Sequence, residues 1–281
     1  MFKIIFLLIF LLILISILAF FYSYFYEPFE LKLEKKEIFF NTLPSELDGL
    51  KIIHFSDLHL RKITRREKEF LEIISQEKPD FIFFTGDFIE RERNISLCAD
   101  YIYKISKINK NFFGVFGNHD HLLTSSFEEL EKEFENRGVE ILTNESKKIE
   151  IKSSYFYLIG VDDPFLGYAD LEKASQNIPF DSFKILLAHS PDVIEEEWEK
   201  IKNIKIDLIL SGHTHGGQIN FPILRSIILS LITRTGGKYS KGLYEKEGTK
   251  LYVNRGMGTY YLMPLRFNAF PEVTLITLRK I

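Results

Sequence analysis

A long apolar run opens the chain and differs from everything that follows it. Every residue from 4 to 21 is apolar except Ser16, and tyrosines follow directly. A helix of this length rises about 1.5 Å per residue and crosses a bilayer core of about 30 Å, with the tyrosines at the interface. We therefore predict a retained transmembrane anchor over residues 1–25. A cleaved signal peptide is the alternative, but such peptides end their apolar region at small residues, whereas Ala19 is followed by large aromatic ones.

Short segments rich in Ile, Leu, Val and Phe recur along the rest of the chain, and charged segments with helical spacing separate them. The predicted strands are 51–55, 80–84, 112–116, 155–161, 183–188, 206–210, 250–253 and 273–278, and the predicted helices are 64–76, 95–108 and 127–137. This alternation predicts a layered α/β domain over residues 49–281, with central β-sheets flanked by helices. Residues 26–48 are expected to form the linker that leads into it.

Chemistry-bearing residues follow five of these strands at their carboxyl ends, where α/β domains carry their sites. The five blocks are Asp57-Leu58-His59, Gly86-Asp87, Gly117-Asn118-His119-Asp120, His189 and Gly212-His213-Thr214-His215. A single Asp-x-His is weak evidence for a metal site, but five blocks of potential ligands along one sheet edge are strong evidence. The mixture of imidazole and carboxylate suits Mn, Fe, Zn or Ni, whereas Mg and Ca prefer oxygen ligands alone.

The five blocks, in this order, resemble the signature of the calcineurin-like metallophosphoesterases over about residues 51–218. Residues 242–273 resemble the membrane-associated phosphodiesterase branch, which includes hydrolases of UDP-2,3-diacylglucosamine in lipid A biosynthesis. The resemblance implies a metallophosphoesterase fold with a dimetal site on loops at the strand ends. It also implies phosphodiesterase or pyrophosphatase activity with two divalent metal ions, manganese being preferred and iron, zinc or nickel being alternatives.

The same resemblance assigns a role to each residue of the blocks. One ion is held by Asp57, His59, Asp87 and His215, and the other by Asp87, Asn118, His189 and His213. Asp87 is expected to bridge the ions with its two carboxylate oxygens. His119 is the implied general acid for the leaving alkoxide, with Asp120 orienting its ring. The implied reaction is in-line attack on phosphorus by a metal-bound hydroxide.

The second half of the chain bears on the substrate. Residues 222–232 are strongly apolar and follow the last metal block closely, so they form either a buried core helix or a surface that receives acyl chains. Arg255 and Arg266 are candidate phosphate ligands, because a guanidinium binds two oxygens at once. With the anchor, these features favour a lipid-linked substrate such as UDP-2,3-diacylglucosamine. A soluble diester, another phospholipid and a membrane scaffold without catalysis remain the alternatives.

The net charge of the chain restricts the classes of partner that we expect. The formal net charge of −3 at pH 7 provides no basic field for nucleic acid, so we expect none as a partner. The sequence indicates no protein partner; the expected contacts are a phosphoester substrate and the membrane. Lys32, Lys35 and Lys36 follow the anchor, whereas only Lys3 precedes it, and this difference weakly favours a single-pass protein of the cell membrane with a cytoplasmic catalytic domain.

Overall fold

The computed structural model describes residues 2–122 and 127–281. Its strands are β1 Lys32–Phe40, β2 Lys51–Phe55, β3 Phe81–Thr85, β4 Phe112–Val115, β5 Glu140–Ile141, β6 Glu145–Ile151, β7 Ser154–Gly160, β8 Phe183–Leu187, β9 Leu208–Ser211, β10 Gly242–Lys246, β11 Thr249–Val253 and β12 Glu272–Lys280. Its helices are α1 Phe2–Phe25, α2 Arg65–Glu77, α3 Ile95–Ile108, α4 Asn118–Leu122, α5 Phe127–Asn136, α6 Leu171–Ala174, α7 Val193–Glu196, α8 Trp198–Ile204 and α9 Pro222–Ile232.

The strands form two mixed sheets. One has the order β1-β12-β2-β3-β4-β5 and the other the order β10-β11-β9-β8-β7-β6. In the first sheet β2, β3 and β4 run parallel, and in the second β7, β8, β9 and β11 do. The carboxyl ends of parallel neighbours lie at the same edge of a sheet, so the loops that follow these strands are brought together.

The hydrophobic core lies in three layers. Phe83 of the first sheet and Leu187 of the second belong to one buried cluster between the sheets. A second cluster joins the opposite face of the first sheet to α2, α3 and α5, and a third joins the second sheet to α6, α7 and α8. Each strand of the sheet centre is therefore covered on both faces, which is why these segments read as continuous apolar runs. The predicted layered α/β architecture is confirmed.

The predicted strands and helices are all present, with ends that differ by at most two residues. The sequence reading missed β1, β5, β6 and β10, which lie at or beside sheet edges. The most informative of these is β1, because residues 26–48 were predicted as a linker. Its nine residues pair in parallel with β12, from Lys32 opposite Glu272 to Phe40 opposite Lys280. This segment therefore contributes an edge strand of the first sheet.

The base of α1 is joined to the domain by buried polar contacts. The carboxylate of Glu27 accepts hydrogen bonds from the backbone N–H groups of Asn268 and Ala269 at 2.9 and 2.6 Å. The backbone N–H of Arg266 donates to the carbonyl of Ser23 in the last turn of the helix, at 3.0 Å. The side chains before this turn are exposed, and α1 is long and apolar enough to cross a membrane.

Candidate metal centre

The loops after β2, β3, β4, β8 and β9 meet at one edge of the two sheets. The backbone N–H of Asp57 donates to the carbonyl of Gly86, and that of Gly212 donates to the carbonyl of His189, each at 2.9 Å, which joins neighbouring loops. The meeting point gathers all seven predicted metal ligands, and each of them is buried: Asp57, His59, Asp87, Asn118, His189, His213 and His215.

Backbone strain marks this meeting point. Five of the seven predicted ligands have a positive φ: Asp57 at 49°, His59 at 40°, Asp87 at 61°, His213 at 67° and His215 at 50°. Such values are uncommon for residues other than glycine and cost free energy, so they persist where the surrounding structure fixes them, often at functional sites. The strain turns these side chains inward at positions where an ordinary loop would direct them elsewhere.

One half of the centre is built around His59. Its Nε2 lies 3.2 Å from Nε2 of His215 and 3.4 Å from Oδ2 of Asp87. Asp57 completes this group, with Oδ1 3.5 Å from Nε2 of His215. On the other side of the His59 ring, Nδ1 lies 2.8 Å from Oε2 of Glu90. A carboxylate beside Nδ1 favours a proton on that nitrogen and leaves the Nε2 lone pair available to a cation.

The other half is built around His189. Its Nε2 lies 3.1 Å from Oδ1 of Asn118, 3.1 Å from Nδ1 of His213 and 3.4 Å from Oδ2 of Asp87. The opposite nitrogens contact carbonyl oxygens, which only accept: Nδ1 of His189 donates to Thr85 at 2.7 Å, and Nε2 of His213 donates to a carbonyl of α9 at 2.6 Å. Both rings therefore direct their other nitrogen at the same point, in the orientation of metal-ligating histidines.

Asp87 joins the two halves through a single oxygen. Its Oδ2 is 3.4 Å from the nearest nitrogen of His59 and the same distance from that of His189. Its Oδ1 accepts a hydrogen bond from the backbone N–H of His119 at 2.9 Å. Oδ1 keeps a second lone pair beside this hydrogen bond, so the predicted bridge through the carboxylate of Asp87 stays a prediction.

The electrostatics of the centre match a cation site. Burial lowers the pKa of His213 to about 4 and, with the nearby charges of His59 and Arg266, lowers the pKa of His215 well below its ordinary value. Neutral imidazole is the form that ligates metals. Burial also raises the pKa of Asp57. Burial opposes a charge on His59 and His189 too, but Glu90 and Asp87 raise the pKa of His59, and Asp87 raises the pKa of His189. Protons on these two rings balance the buried carboxylates, and divalent ions would supply that positive charge instead, so the donor set fits two divalent ions.

Two glycines allow the loops to approach this closely. Gly86 has a φ of +84°, and a Cβ at that position would collide with the ring of His189. A Cβ at Gly117 would collide with the carboxylate of Asp87. Any larger residue at either position would displace a predicted ligand, because the neighbours here are a fixed ring and a buried carboxylate.

His119 lies at the rim of the centre. Its ring is 4.8 Å from that of His59 and 5.3 Å from that of Tyr260, measured between centroids, and it is more exposed than the predicted ligands. Its backbone is fixed by the hydrogen bond to Asp87. The imidazole therefore borders the space that a substrate would enter, the position expected of an acid that acts on a leaving group.

Asp120 has a different arrangement from the one we predicted. Its carboxylate accepts backbone hydrogen bonds from Asp87, Phe88, Ile89 and Gly117, at 2.8 to 3.3 Å. Within the described ranges no hydrogen bond joins it to the ring of His119. Burial, followed by the charge of Asp87, raises the pKa of Asp120 to about 7. The residue thus holds the β3 and β4 loops together, and this contact replaces the predicted role in orienting His119.

The two arginines predicted as phosphate ligands are occupied elsewhere. Arg266 is fully buried, and its guanidinium donates to the carbonyls of Arg255, Gly256, Gly258 and Ala269 at 2.6 to 3.1 Å. Arg255 forms ion pairs with Glu34 at 2.9 Å and Glu272 at 2.6 Å. Arg266 supports the loop beneath the metal centre, and Arg255 links that loop to β1 and β12. Neither arginine therefore presents its charge to a substrate.

Glu90 is the residue of the site that the sequence reading missed. It is buried, contacts His59 through Oε2, and accepts a hydrogen bond from the backbone N–H of Tyr261 through Oε1 at 2.8 Å. The available signal was its place three residues after Asp87 in the same loop. His59, Glu90 and His119 also lie close enough to form a metal-binding group of their own.

A phosphoester hydrolase that uses two metal ions is the class of protein that this fold and this cluster define. The family described as calcineurin-like phosphoesterase matches residues 50–217, which include all seven predicted ligands. The chain belongs to that family and is a metal-dependent phosphoester hydrolase.

Several relatives resemble almost the whole chain. The uncharacterized metallophosphoesterase YkuE of Bacillus subtilis (strain 168) is 35% identical over 90% of this chain and 87% of its own length. The phosphodiesterase YaeI of Escherichia coli (strain K12) is 29% identical over 81% of this chain and 82% of its own. A transmembrane protein with metallophosphoesterase domain from Danio rerio is 29% identical over 89% of this chain, which spans 57% of that protein.

A solved structure with the same fold is the sulfate thiohydrolase SoxB of Thermus thermophilus. It superposes with a TM-score of 0.50 at 12% identity, over 84% of this chain and 57% of that one. At this identity the likeness concerns the fold alone.

Proposed function

We propose that the chain is a membrane-anchored phosphodiesterase that hydrolyses a lipid-linked substrate at the surface of the bilayer crossed by α1. The observation that carries this proposal is a cavity of about 320 Å³ that opens directly onto the metal centre and has an apolar wall. A soluble phosphodiester needs no such wall, whereas an acyl chain gains free energy by burial against it.

The cavity has two chemically distinct sides. The polar side includes Asp87, Asn118, His119, His213 and His215, with Thr214, Gln218 and Tyr260 beside them. The apolar side consists of Leu122, Phe165, Ile228, Leu231, Ile232 and Met263. A phosphate at the metal centre would therefore have its organic substituent against α9 and the loop that contains Met263. This polarity matches a molecule with a charged head and an apolar tail.

Helix α9 supports the lipid interpretation. We considered a buried core helix and an exposed acyl-binding surface for residues 222–232. Leu229 is buried, but Ile223, Leu224, Ile227 and Leu231 are each between 49% and 78% exposed. Exposed apolar side chains in such number are costly in water and typical of helices that lie in the membrane interface.

The chemistry we propose divides between the ions and the protein. Two divalent ions held by the seven ligands, with manganese as our first choice, would supply water activation and neutralise the phosphate oxygens. The neutral Asn118 keeps the net charge of its ligand group favourable to an anion. His119 borders the cavity and would give its proton to the oxygen that leaves phosphorus. The apolar wall excludes bulk water from the side on which the lipid lies.

The proposed location is the cell membrane, with α1 as a single span. Relatives described as transmembrane proteins with the same domain support the anchor. The lysines after α1 favour a cytoplasmic domain. Protease added to intact spheroplasts should then leave the domain uncut until the membrane is opened, and digestion before opening would place it outside.

The experiment that tests the proposed function is a product assay with the manganese-loaded full chain. UDP-2,3-diacylglucosamine, a panel of phospholipids and a soluble aryl phosphodiester are compared at equal concentration. We expect kcat/KM to be highest for one of the acylated substrates. Hydrolysis of the soluble diester alone would contradict the proposed lipid substrate but would still agree with the assignment as a phosphoester hydrolase.

A further inference from the structure

A second cavity, of about 560 Å³, lies between the base of α1 and the metal-binding loops. We call it the basal pocket. Its lining residues are Tyr24, Phe25, Pro28, Phe29, His59, Arg61, Lys62, Thr64, Arg66, Thr259 and Pro264. It is distinct from the substrate cavity described above, since the two share no lining residue. The mechanism proposed for the metal centre makes no use of it.

The pocket carries positive charge that the protein itself does not neutralise. Arg66 is compensated, because its Nε and Nη2 contact Oε1 of Glu67 at 2.7 and 2.5 Å. Arg61 gives one hydrogen bond to the hydroxyl of Thr259 at 2.7 Å. Across residues 2–122 and 127–281, no carboxylate forms an ion pair with Arg61 or Lys62. A guanidinium and an ammonium that have no carboxylate partner in these ranges therefore border the same cavity, and the exposed Lys62 lies 6.0 Å from the centre of the Phe29 ring.

Arg61 is half-buried at the edge of the pocket. Among the described residues its guanidinium has no carboxylate within ion-pair distance, and its side-chain hydrogen bond goes to the hydroxyl of Thr259. A partly desolvated cation beside a second cation is stabilised when an anion enters between them. Guanidinium and ammonium groups are the usual partners of phosphate oxygens.

The opposite wall of the pocket fixes its depth relative to a membrane. Tyr24 and Phe25 belong to the last turn of α1, and Pro28 and Phe29 follow that turn. Aromatic residues at the end of a spanning helix lie at the level of the lipid headgroups. The buried contacts of Glu27 hold this end of α1 against the domain. The basal pocket would thus open at the level of the lipid phosphates.

We propose that the basal pocket binds the phosphate of an anionic phospholipid from the bilayer that α1 crosses. This inference rests on the membrane position given to α1 in the proposed function. Arg61 and Lys62 contact the phosphate, and the aromatic wall contacts the glycerol and upper acyl segments. Because His59 also lines the pocket, the bound lipid holds the metal centre at a fixed height above the bilayer.

The test is native mass spectrometry of the metal-loaded full chain in detergent, titrated with phosphatidylglycerol or phosphatidylcholine. Wild type should bind one phosphatidylglycerol in preference to phosphatidylcholine. The double variant Arg61→Gln/Lys62→Gln should lose roughly 25-fold in phosphatidylglycerol affinity, from about fivefold for each basic side chain near the headgroups. Arg61→Lys/Lys62→Arg keeps both charges and should retain the preference.

Matched controls separate this pocket from general charge and from the substrate cavity. Lys68→Gln/Lys104→Gln removes two positive charges from exposed positions of α2 and α3 outside the pocket and should keep the preference. Leu231→Asp alters the substrate cavity and should also keep the lipid preference, so an error in the proposed substrate is distinguishable from an error in the basal pocket. Equal binding of both lipids by wild type, or an equal loss in the Lys68→Gln/Lys104→Gln control, would overturn the proposal. Displacement of the lipid by inorganic phosphate at equal concentration would show a site for free anions and would also overturn it.

Discussion

Oε2 of Glu90 lies 2.8 Å from Nδ1 of His59, on the side of the ring away from the metal centre. A carboxylate at this distance favours a proton on Nδ1, and Nε2 on the other side of the ring faces the centre. Such a partner also raises the basicity of the ligating nitrogen. A residue outside the seven predicted ligands is therefore placed to influence how one of them binds an ion.

The first prediction concerns this contact. Glu90→Ala should weaken metal binding by roughly 10-fold to 100-fold, because the His59 ring loses the group that orients it. Glu90→Gln keeps a hydrogen-bond acceptor beside Nδ1, so its metal affinity should lie between those of Glu90→Ala and wild type. Calorimetric titration of the metal-free proteins with manganese measures the metal affinity of both variants. Wild-type affinity in Glu90→Ala would show that the contact has no role in metal binding.

The second prediction separates proton transfer from coordination at the rim. His119→Ala should keep both ions and lose roughly 10²-fold to 10⁴-fold in kcat on an alkyl ester, because the leaving alkoxide then has no acid to protonate it. The loss should be smaller on a nitrophenyl ester, whose leaving group needs no proton. Metal analysis and kinetics on the two esters are compared. Loss of an ion, or equal losses on both esters, would contradict the assignment.

The third prediction follows from the four backbone hydrogen bonds of Asp120. Asp120→Ala leaves four buried N–H groups without their acceptor, and each such group costs about 1–3 kcal/mol. The free energy of unfolding should therefore fall by about 4 kcal/mol or more. Asp120→Asn retains one acceptor oxygen, so its free energy of unfolding should fall less than that of Asp120→Ala. Denaturant unfolding of the metal-loaded protein measures this, and an unchanged midpoint in Asp120→Ala would refute the structural role.

The fourth prediction concerns the apolar wall of the substrate cavity. Leu231→Asp puts a charge where the acyl chain is expected and should lower kcat/KM on the preferred lipid by roughly 10-fold or more. The soluble aryl diester should be affected much less, so the ratio of the two activities changes. Leu243→Asp is the matched control, since Leu243 is 48% exposed on β10 and lies outside the cavity. A proportional loss on both substrates in Leu231→Asp would argue against a lipid wall.

The fold was largely predictable because its central strands are buried on both faces and therefore carry long apolar runs. Strand β1 escaped prediction for the opposite reason. Its sequence is mostly charged, and only pairing with β12 shows that it belongs to the sheet. Edge strands with one solvated side have weak patterns, because the neighbouring strand supplies most of what holds them in place.

The meeting of the seven predicted ligands could be inferred from residue type and place in the chain, but the directions of other side chains could not. Arg266 and Arg255 follow a strand near the centre, as a phosphate ligand would, yet both guanidinium groups point into protein contacts. Glu90 is an ordinary glutamate in sequence and gains its role only when the loop brings it to His59. Asp120 lies beside His119 in the chain, but its carboxylate points back to the β3 loop. Each of these outcomes depends on tertiary packing that residue spacing does not encode.

The most direct test of the account is the metal content of wild type and Asp87→Ala, measured together with hydrolysis of an aryl phosphodiester. Oδ2 of Asp87 lies 3.4 Å from a nitrogen of each half of the centre, so its loss removes a ligand from both ions at once. We predict two manganese ions per wild-type chain, and neither full occupancy nor measurable hydrolysis in Asp87→Ala. A variant that keeps both ions and its activity would contradict the dimetal centre proposed here.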